Sequence, residues 1–109
     1  KGSNTIILGI TFKENCPDIR NSRVIDIYKE LKQFGSQVDV YDPWANKKEV
    51  FAEYGIKLTD TISRKYHSVI LAVSHDVFLA LDFSSLLYNE GILFDTKSFL
   101  NRESVSGRL

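Results

Sequence analysis

The sequence predicts an α/β fold, a three-layer Rossmann-like sandwich built around a mainly parallel sheet. Two continuous apolar runs, at residues 5–10 and 68–73, are typical of strands whose two faces are both covered by helices. An amphipathic helix is predicted between them, at residues 23–34. Further strand-like and helical segments alternate along the chain, and this order favours right-handed crossovers that leave neighbouring strands parallel.

Two further strands complete the predicted sheet. Residues 37–41 alternate polar and apolar side chains, which suits a strand near an edge, and residues 92–94 form a short apolar run. Residues 56–59 fit either an additional edge strand or a plain connection.

The first predicted helix carries one apolar stripe along residues 23–34. The stripe consists of Val24, Ile27, Tyr28, Leu31 and Phe34. Ser22 or Asn21 can cap its start, and Gly35 is the expected C-terminal stop. A second helix, at residues 46–54, opens with the pattern of a capping box.

The remaining helical segments are weaker. Residues 60–66 and 76–88 are predicted as shorter helices. The polar segment 101–109 is predicted to be a frayed C-terminal tail.

Length and composition indicate one domain. At 109 residues the chain is long enough to bury its own core, and the domain is predicted to occupy residues 4–100. Residues 1–3 are interpreted as residues added in front of the natural sequence. The sequence contains no methionine, so we expect it to be a piece of a longer protein.

The charge balance excludes two classes of partner. Fourteen Lys and Arg residues balance fourteen Asp and Glu residues, so no overall field attracts nucleic acid or an anionic membrane.

The single cysteine, Cys16, excludes an internal disulfide and suits a reducing cytoplasm. No cluster of residues has metal-ligand spacing, so no metal is expected.

Two cations follow the first strand and precede the first helix. Lys13 and Arg20 flank this loop, which Pro17 stiffens, at an edge of the sheet where ligands of open α/β folds bind. Cations beside a helix N-terminus suit a phosphate, and Phe12 could offer its ring to a base or sugar. Two solvated loop cations remain the alternative. The loop lacks the G-x-G-x-x-G turn of a dinucleotide fingerprint.

A third cation follows the last predicted strand. In a parallel sheet Lys97 lies at the same edge as Lys13, and two lysines from different strand ends suit a diphosphate. A solvated lysine is again the alternative.

Other polar residues carry weaker signals. Asp42 is interpreted as part of a turn with Pro43 rather than as a ribose site, and Trp44 as covering part of the core or an interface. Ser74, His75 and Asp76 are adjacent in the sequence and therefore cannot form a hydrolase triad. His75 or Asp76 is instead predicted to cap the next helix. Cys16 has no neighbouring histidine and has acids beside it, so it is not expected to be a nucleophile.

Three motifs resemble a known family. They are residues 9–13 (Gly-Ile-Thr-Phe-Lys), 18–22 (Asp-Ile-Arg-Asn-Ser) and 38–43 (Val-Asp-Val-Tyr-Asp-Pro). Together they resemble the C-terminal, UDP-binding domain of the UDP-glucose/GDP-mannose dehydrogenase family. Residues 13–22 and 42–45 (Asp-Pro-Trp-Ala) are most similar to bacterial UDP-N-acetylhexosamine 6-dehydrogenases of the Vi-polysaccharide and O-antigen type.

The resemblance implies roles for four residues. It places Phe12, Lys13 and Lys97 on the nucleotide-sugar substrate and Arg20 on the pyrophosphate of NAD. The family commonly has Asp-Gly-Arg where this chain has Asp95, Thr96 and Lys97. Lysine keeps the charge but loses the bidentate fork of arginine, so that contact is expected to differ in detail.

The resemblance also implies what lies elsewhere in the protein. Such enzymes oxidise the C6 hydroxymethyl group of a nucleotide sugar to a carboxylate with two NAD, in the service of surface polysaccharide synthesis. The NAD-binding and central domains of the same chain, which carry the catalytic residues, would be partners of this domain, and the parent would be a homodimer.

One other function remains open at this point. A stand-alone regulatory module could bind a nucleotide without catalysis, in which case no NAD-binding domain would accompany this chain. A receiver-like or flavodoxin-like signalling domain is disfavoured, because it would need paired acids at the end of the first strand, where this chain has none.

Overall fold

The computed structural model describes residues 3–11, 15–20, 22–62, 64–73 and 75–95 and the backbone of residues 107–108. Within these residues, five strands form one sheet in the order β2-β1-β3-β4-β5, and each neighbouring pair is parallel. The strands are β1 Asn4–Leu8, β2 Gln37–Tyr41, β3 Tyr66–Leu71, β4 Leu87–Asp95 and β5 Gly107–Arg108. The helices are α1 Val24–Gln33, α2 Lys47–Tyr54 and α3 Phe83–Leu86, with a 3₁₀ helix at Asp76–Ala80.

Helices cover both faces of the sheet. Since successive side chains of each strand point to opposite faces, apolar residues of the same strand contribute to two separate cores. One core lies between the sheet and helices α1 and α2, and it includes Ile7, Val24, Val40, Val50 and Ile70. The second core lies against the 3₁₀ helix and α3, and it includes Ile6, Leu8, Val69, Phe78 and Leu86. The predicted three-layer α/β sandwich with a parallel sheet is therefore confirmed.

The strongest local patterns are confirmed as well. Strand β2 has the predicted bounds, and α1 differs from the predicted helix by one residue at each end. The Asn46 side chain accepts a hydrogen bond from the Glu49 N–H at 3.1 Å, which is the first half of a capping box. The N-cap of α1 is Arg23, which makes no side-chain cap bond, and not the predicted Ser22, whose hydroxyl nevertheless accepts from the Val24 N–H at 3.3 Å.

The turn after β1 shapes the edge of the sheet that follows. The strand is predicted to reach residue 10 but ends at Leu8, because Gly9 has a φ of +100°, outside the range of an extended strand. The Leu8 carbonyl then accepts hydrogen bonds from the N–H groups of both Ala72 and Val73, at 3.0 and 3.2 Å. The ends of β1 and β3 are thereby drawn close together.

The helix predicted at residues 60–66 is wrong. Tyr66 begins β3, and the described residues before it form bends and irregular backbone. The Tyr66 ring is buried, and its hydroxyl donates to the carboxylate of Asp39 on β2 at 2.6 Å. Burial in the sheet outweighs the helical preference of so short a segment, since brief helices are marginal without packing.

Residues 56–59 form a connection and not a strand. Their backbone has no strand assignment, although the Thr59 N–H donates to the Val40 carbonyl at 2.8 Å. Ile56 and Leu58 are both buried, which accounts for the apolar pattern of this segment.

The helix predicted at residues 76–88 is interrupted and ends early. Asp82 separates the 3₁₀ helix from α3: its carboxylate accepts from the Ser84 hydroxyl at 2.6 Å, and its carbonyl accepts from the Ser85 hydroxyl at 2.7 Å. Such local bonds compete with a continuous helix. Strand β4 then begins at Leu87 instead of residue 92, with a register irregularity against β3.

The ends of the chain are only partly described. Within the predicted tail 101–109, Gly107 and Arg108 pair with Phe94 and Asp95 as strand β5. The rest of that tail lies outside the described residues, so the domain boundaries remain predictions. In the portion that the structure describes, no helix has the length and apolar character that crossing a membrane requires.

Candidate functional site

The predicted site lies at the carboxyl edge of the sheet, where β2, β1 and β3 end side by side. In the loop after β1, Thr11 lies at this edge, and residues 15–20 connect it to α1. Phe12, Lys13 and Lys97 lie outside the described residues. Of the predicted ligand-binding side chains, only Arg20 therefore has a described position.

Arg20 is exposed and is held by Asp18. The backbone N–H of Arg20 donates to Asp18 Oδ1 at 2.9 Å, while its Nε and one Nη donate to the two carboxylate oxygens at 3.1 and 3.2 Å. This side-chain hydrogen bond lowers the pKa of Asp18 and raises the pKa of Arg20. Asp18 thus orients the guanidinium and occupies one of its edges, so an anion would meet the remaining N–H groups.

An open groove of about 670 Å³ lies beside this pair. Its walls come from the loop before α1, the turn after β2 and the start of α2, and they include Arg20, Trp44, Asn46 and Glu49. Trp44 is 40% exposed and lines the groove wall. Cys16 also lies on this wall as a half-buried free thiol.

A buried polar network lies behind the groove, and sequence reasoning missed it. His75, Asp42 and Thr11 are at most 5% exposed. His75 Nε2 lies 3.0 Å from Asp42 Oδ2 and 3.1 Å from the Thr11 hydroxyl. Each of the three residues follows a different strand, and the parallel sheet brings them together at one edge.

The hydrogen bonds determine the form of the His75 ring. The backbone N–H of Asn15 points at His75 Nδ1 at 2.7 Å, and since this amide can only donate, Nδ1 must be an unprotonated acceptor. The ring proton of a neutral imidazole is then on Nε2, where it faces the Asp42 carboxylate. His75 therefore bridges the loop on one side and the acid on the other.

Asp42 accepts from several donors at once. Its Oδ2 accepts from the N–H groups of Ile10 and Thr11 at 2.7 and 3.2 Å, and its Oδ1 accepts from the Trp44 N–H at 2.8 Å. Burial works to raise the pKa of Asp42, but the bonds from His75 and these amides outweigh it and hold the pKa below its ordinary value. The Asp42 turn predicted from the sequence is present, and it also anchors the start of the loop.

The far end of the loop is fixed by Asn15. This residue has a φ of +54°, a left-handed conformation that asparagine tolerates better than most residues. Its side-chain oxygen accepts from the Asp76 N–H at 2.9 Å. His75 is the N-cap residue of the 3₁₀ helix, as one of the two predicted alternatives has it, but its side chain makes no cap hydrogen bond to that helix.

One signal in the sequence could have revealed the network. Thr11, Asp42 and His75 each come within a few residues of the end of a different predicted strand, so a parallel sheet places them at one edge. Taken separately, each looks like a turn or cap residue. Their convergence becomes visible only when the three strand ends are considered together.

Comparison with known proteins identifies the family. The sequence profile of the UDP-glucose/GDP-mannose dehydrogenase family, UDP binding domain, matches residues 6–102. UDP-N-acetyl-D-glucosamine 6-dehydrogenase of Salmonella typhi is 42% identical, over 100% of this chain and 27% of that protein. The enzyme of the same name from Pseudomonas aeruginosa is 41% identical, over 99% of this chain and 26% of that protein.

Solved structures agree with the sequence match. The native structure of the UDP-N-acetyl-mannosamine dehydrogenase Cap5O from Staphylococcus aureus superposes with a TM-score of 0.75 at 25% identity, over 99% of this chain and 26% of that chain. This chain thus spans about a quarter of the length of these relatives. The profile match and the identity both extend over nearly the whole chain, and the chain therefore belongs to the UDP-glucose/GDP-mannose dehydrogenase family, as its UDP-binding domain.

Proposed function

We propose that this chain is the substrate-binding domain of an NAD-dependent UDP-sugar 6-dehydrogenase, with a UDP-N-acetylhexosamine as substrate. The observation that carries the proposal is the identity above 40% to two proteins named UDP-N-acetyl-D-glucosamine 6-dehydrogenase. Within this function, the domain binds the nucleotide diphosphate while C6 of the sugar is oxidised to a carboxylate elsewhere in the protein.

Four residues are proposed to contact ligands. Phe12 and Lys13, on the loop after β1, and Lys97, after β4, would bind the UDP part of the substrate. Arg20 would bind the pyrophosphate of NAD, and its orientation by Asp18 at the groove edge supports a fixed anion contact. The buried His75 contacts Thr11 before these cations and Asn15 after Lys13, which supports a ligand-binding role for the segment over two solvated cations.

The remaining parts of the reaction are assigned to other domains. The NAD-binding domain and the catalytic residues would lie in the same protein outside this chain, and we propose that the protein is a cytoplasmic homodimer. NAD is the proposed cofactor, and it would supply the hydride acceptor. Cations that hold the diphosphate far from C6 convert binding energy into orientation of the reacting carbon.

Lys13→Ala tests this function in the full-length protein. We expect kcat/KM for the UDP-sugar, followed as NAD reduction, to fall about 10–100-fold, because one charged hydrogen bond worth about 1.5–3 kcal/mol is lost. Lys29→Ala, at an exposed position of α1, is the matched control and should leave kcat/KM unchanged.

Two results would count against the proposal. Unchanged kcat/KM in Lys13→Ala would remove Lys13 from the substrate site. Binding of UDP by a full-length protein that never reduces NAD with any UDP-sugar would favour the stand-alone nucleotide-binding module.

A further inference from the structure

The His75 ring contacts both ends of the segment that carries Phe12 and Lys13. Its Nε2 lies 3.1 Å from the Thr11 hydroxyl, just before this segment, and its Nδ1 accepts from the Asn15 N–H at 2.7 Å, just after it. One side chain from the end of β3 thus spans the base of a loop that begins at β1. Residues 12–14 themselves lie outside the described residues.

The ring is itself rigidly placed. His75 is 0% exposed, and its ring packs near Phe78 and Trp44, with centroid distances of 5.4 and 6.0 Å. Asp42 fixes the Nε2 side, and Asp42 is in turn held by the N–H groups of Ile10 and Thr11. The Nδ1 acceptor is therefore presented to the loop from a site with little freedom to move.

Only a group with an acceptor and a donor on opposite sides satisfies this arrangement. An apolar ring of the same size would leave the Asn15 N–H facing a carbon atom, and a protonated imidazole would face it with a second N–H. His75 is 0% exposed, so its ring atoms have no water as a substitute partner, and the loss of either contact is expected to free Thr11 or Asn15 from the ring.

We propose that His75 is a positioning residue for nucleotide binding, which ties Thr11 and Asn15, the described residues on either side of Phe12 and Lys13, to the end of β3. The proposal rests on the proposed function in that Phe12 and Lys13 are taken to contact UDP. His75 does not touch the nucleotide, and its effect reaches the ligand only through the loop.

Two isosteric replacements separate the two sides of the ring. The amide oxygen of asparagine can occupy the place of Nδ1, so His75→Asn keeps an acceptor for Asn15 and loses the donor to Asp42. The amide nitrogen of glutamine can occupy the place of Nε2, so His75→Gln keeps the donor to Asp42 and loses the acceptor for Asn15. Both variants lose one buried hydrogen bond, and a purely structural role would affect them alike.

The first measurement needs no ligand. Amide hydrogen exchange of residues 12–15 is followed by NMR in the wild-type chain and in both variants, below their thermal transitions. We expect exchange to rise about 3–10-fold in His75→Gln, as one lost hydrogen bond implies, and to stay near wild type in His75→Asn. Equal exchange in the two variants would overturn the positioning role.

The second measurement is the UDP affinity by calorimetry. We expect the Kd to rise about 3–10-fold in His75→Gln and less than about 2-fold in His75→Asn, whatever the order of their thermal stabilities. An affinity that follows stability rather than the Asn15 contact would overturn the proposal. If neither the wild-type chain nor the full-length protein binds UDP, the proposed function fails, while the exchange experiment still decides whether His75 holds Asn15.

A third variant protects the test against misfolding of the buried replacements. Asn15→Gly, at an exposed residue, keeps the left-handed backbone and the bond to Nδ1 but removes the contact with the Asp76 N–H. We expect faster exchange at residues 12–15 and a Kd about 2–5-fold higher. Wild-type exchange and affinity in this variant would show that the end of the loop at Asn15 does not control UDP binding.

Discussion

Gly9→Ala is expected to lower the free energy of unfolding by about 2–5 kcal/mol, the sum of backbone strain and overpacking. Gly9 has a φ of +100°, which side chains with a Cβ rarely adopt. A Cβ at this position would lie 2.5 Å from the Val73 Cβ and 2.9 Å from the Val73 backbone nitrogen, so the segment after β3 would have to move. Urea unfolding followed by circular dichroism measures the loss.

Gly55→Ala is the control that separates strain from crowding. Gly55 also has a left-handed backbone, with a φ of +72°, but a Cβ there would meet nothing within 4 Å. We expect Gly55→Ala to cost only about 1–2 kcal/mol, from strain alone. Equal losses in the two variants would contradict the close approach of β1 and the end of β3 at Gly9.

Asp42→Asn is expected to lower the free energy of unfolding by about 2–3 kcal/mol. Both carboxylate oxygens of Asp42 accept hydrogen bonds from N–H groups, so an amide must turn its NH₂ group toward at least one of those donors. The mismatch is buried and cannot be relieved by water. Asp26→Asn, at an exposed position of α1, is the control and should stay within about 0.5 kcal/mol of wild type.

The difference in stability between wild type and Asp42→Asn is expected to depend on pH. The pKa of Asp42 is below its ordinary value of 3.8, so its carboxylate stabilises the folded state fully above that value. This contribution is lost as the pH falls from about 3.8 through the lower pKa of the folded state. The difference in unfolding free energy between wild type and Asp42→Asn should therefore shrink as the pH falls below 4. A constant difference down to pH 2 would mean that Asp42 does not gain its stability as a carboxylate.

The fold is largely predictable because its signals are local and strong. The strands buried on both faces are continuous apolar runs. The ends of α2 are marked by Asn46 and Gly55, residue types that are preferred at helix N-caps and C-caps. The errors fall where local and tertiary preferences compete. The pattern of residues 60–66 predicts a helix, but Tyr66 joins β3, where its ring is buried and its hydroxyl donates to Asp39 on β2. No local pattern contains that information.

The site was predictable only in part, for a related reason. Lys13, Arg20 and Lys97 are visible as cations beside strand and helix ends, and the family motifs add roles for them. The partners of His75 are far away in the sequence: Asp42 is 33 residues from it and Asn15 is 60 residues from it. A buried histidine that connects two loops therefore looks in sequence like an ordinary residue at a strand end.

The most direct test of the nucleotide site is a titration of UDP into the isotopically labelled chain, followed by backbone NMR. The account predicts saturable shifts clustered at Phe12, Lys13 and Lys97, with much weaker shifts for uridine, which lacks the diphosphate that the lysines bind. The absence of saturable shifts at these residues, or equal responses to UDP and uridine, would contradict a diphosphate site at the carboxyl edge of this sheet.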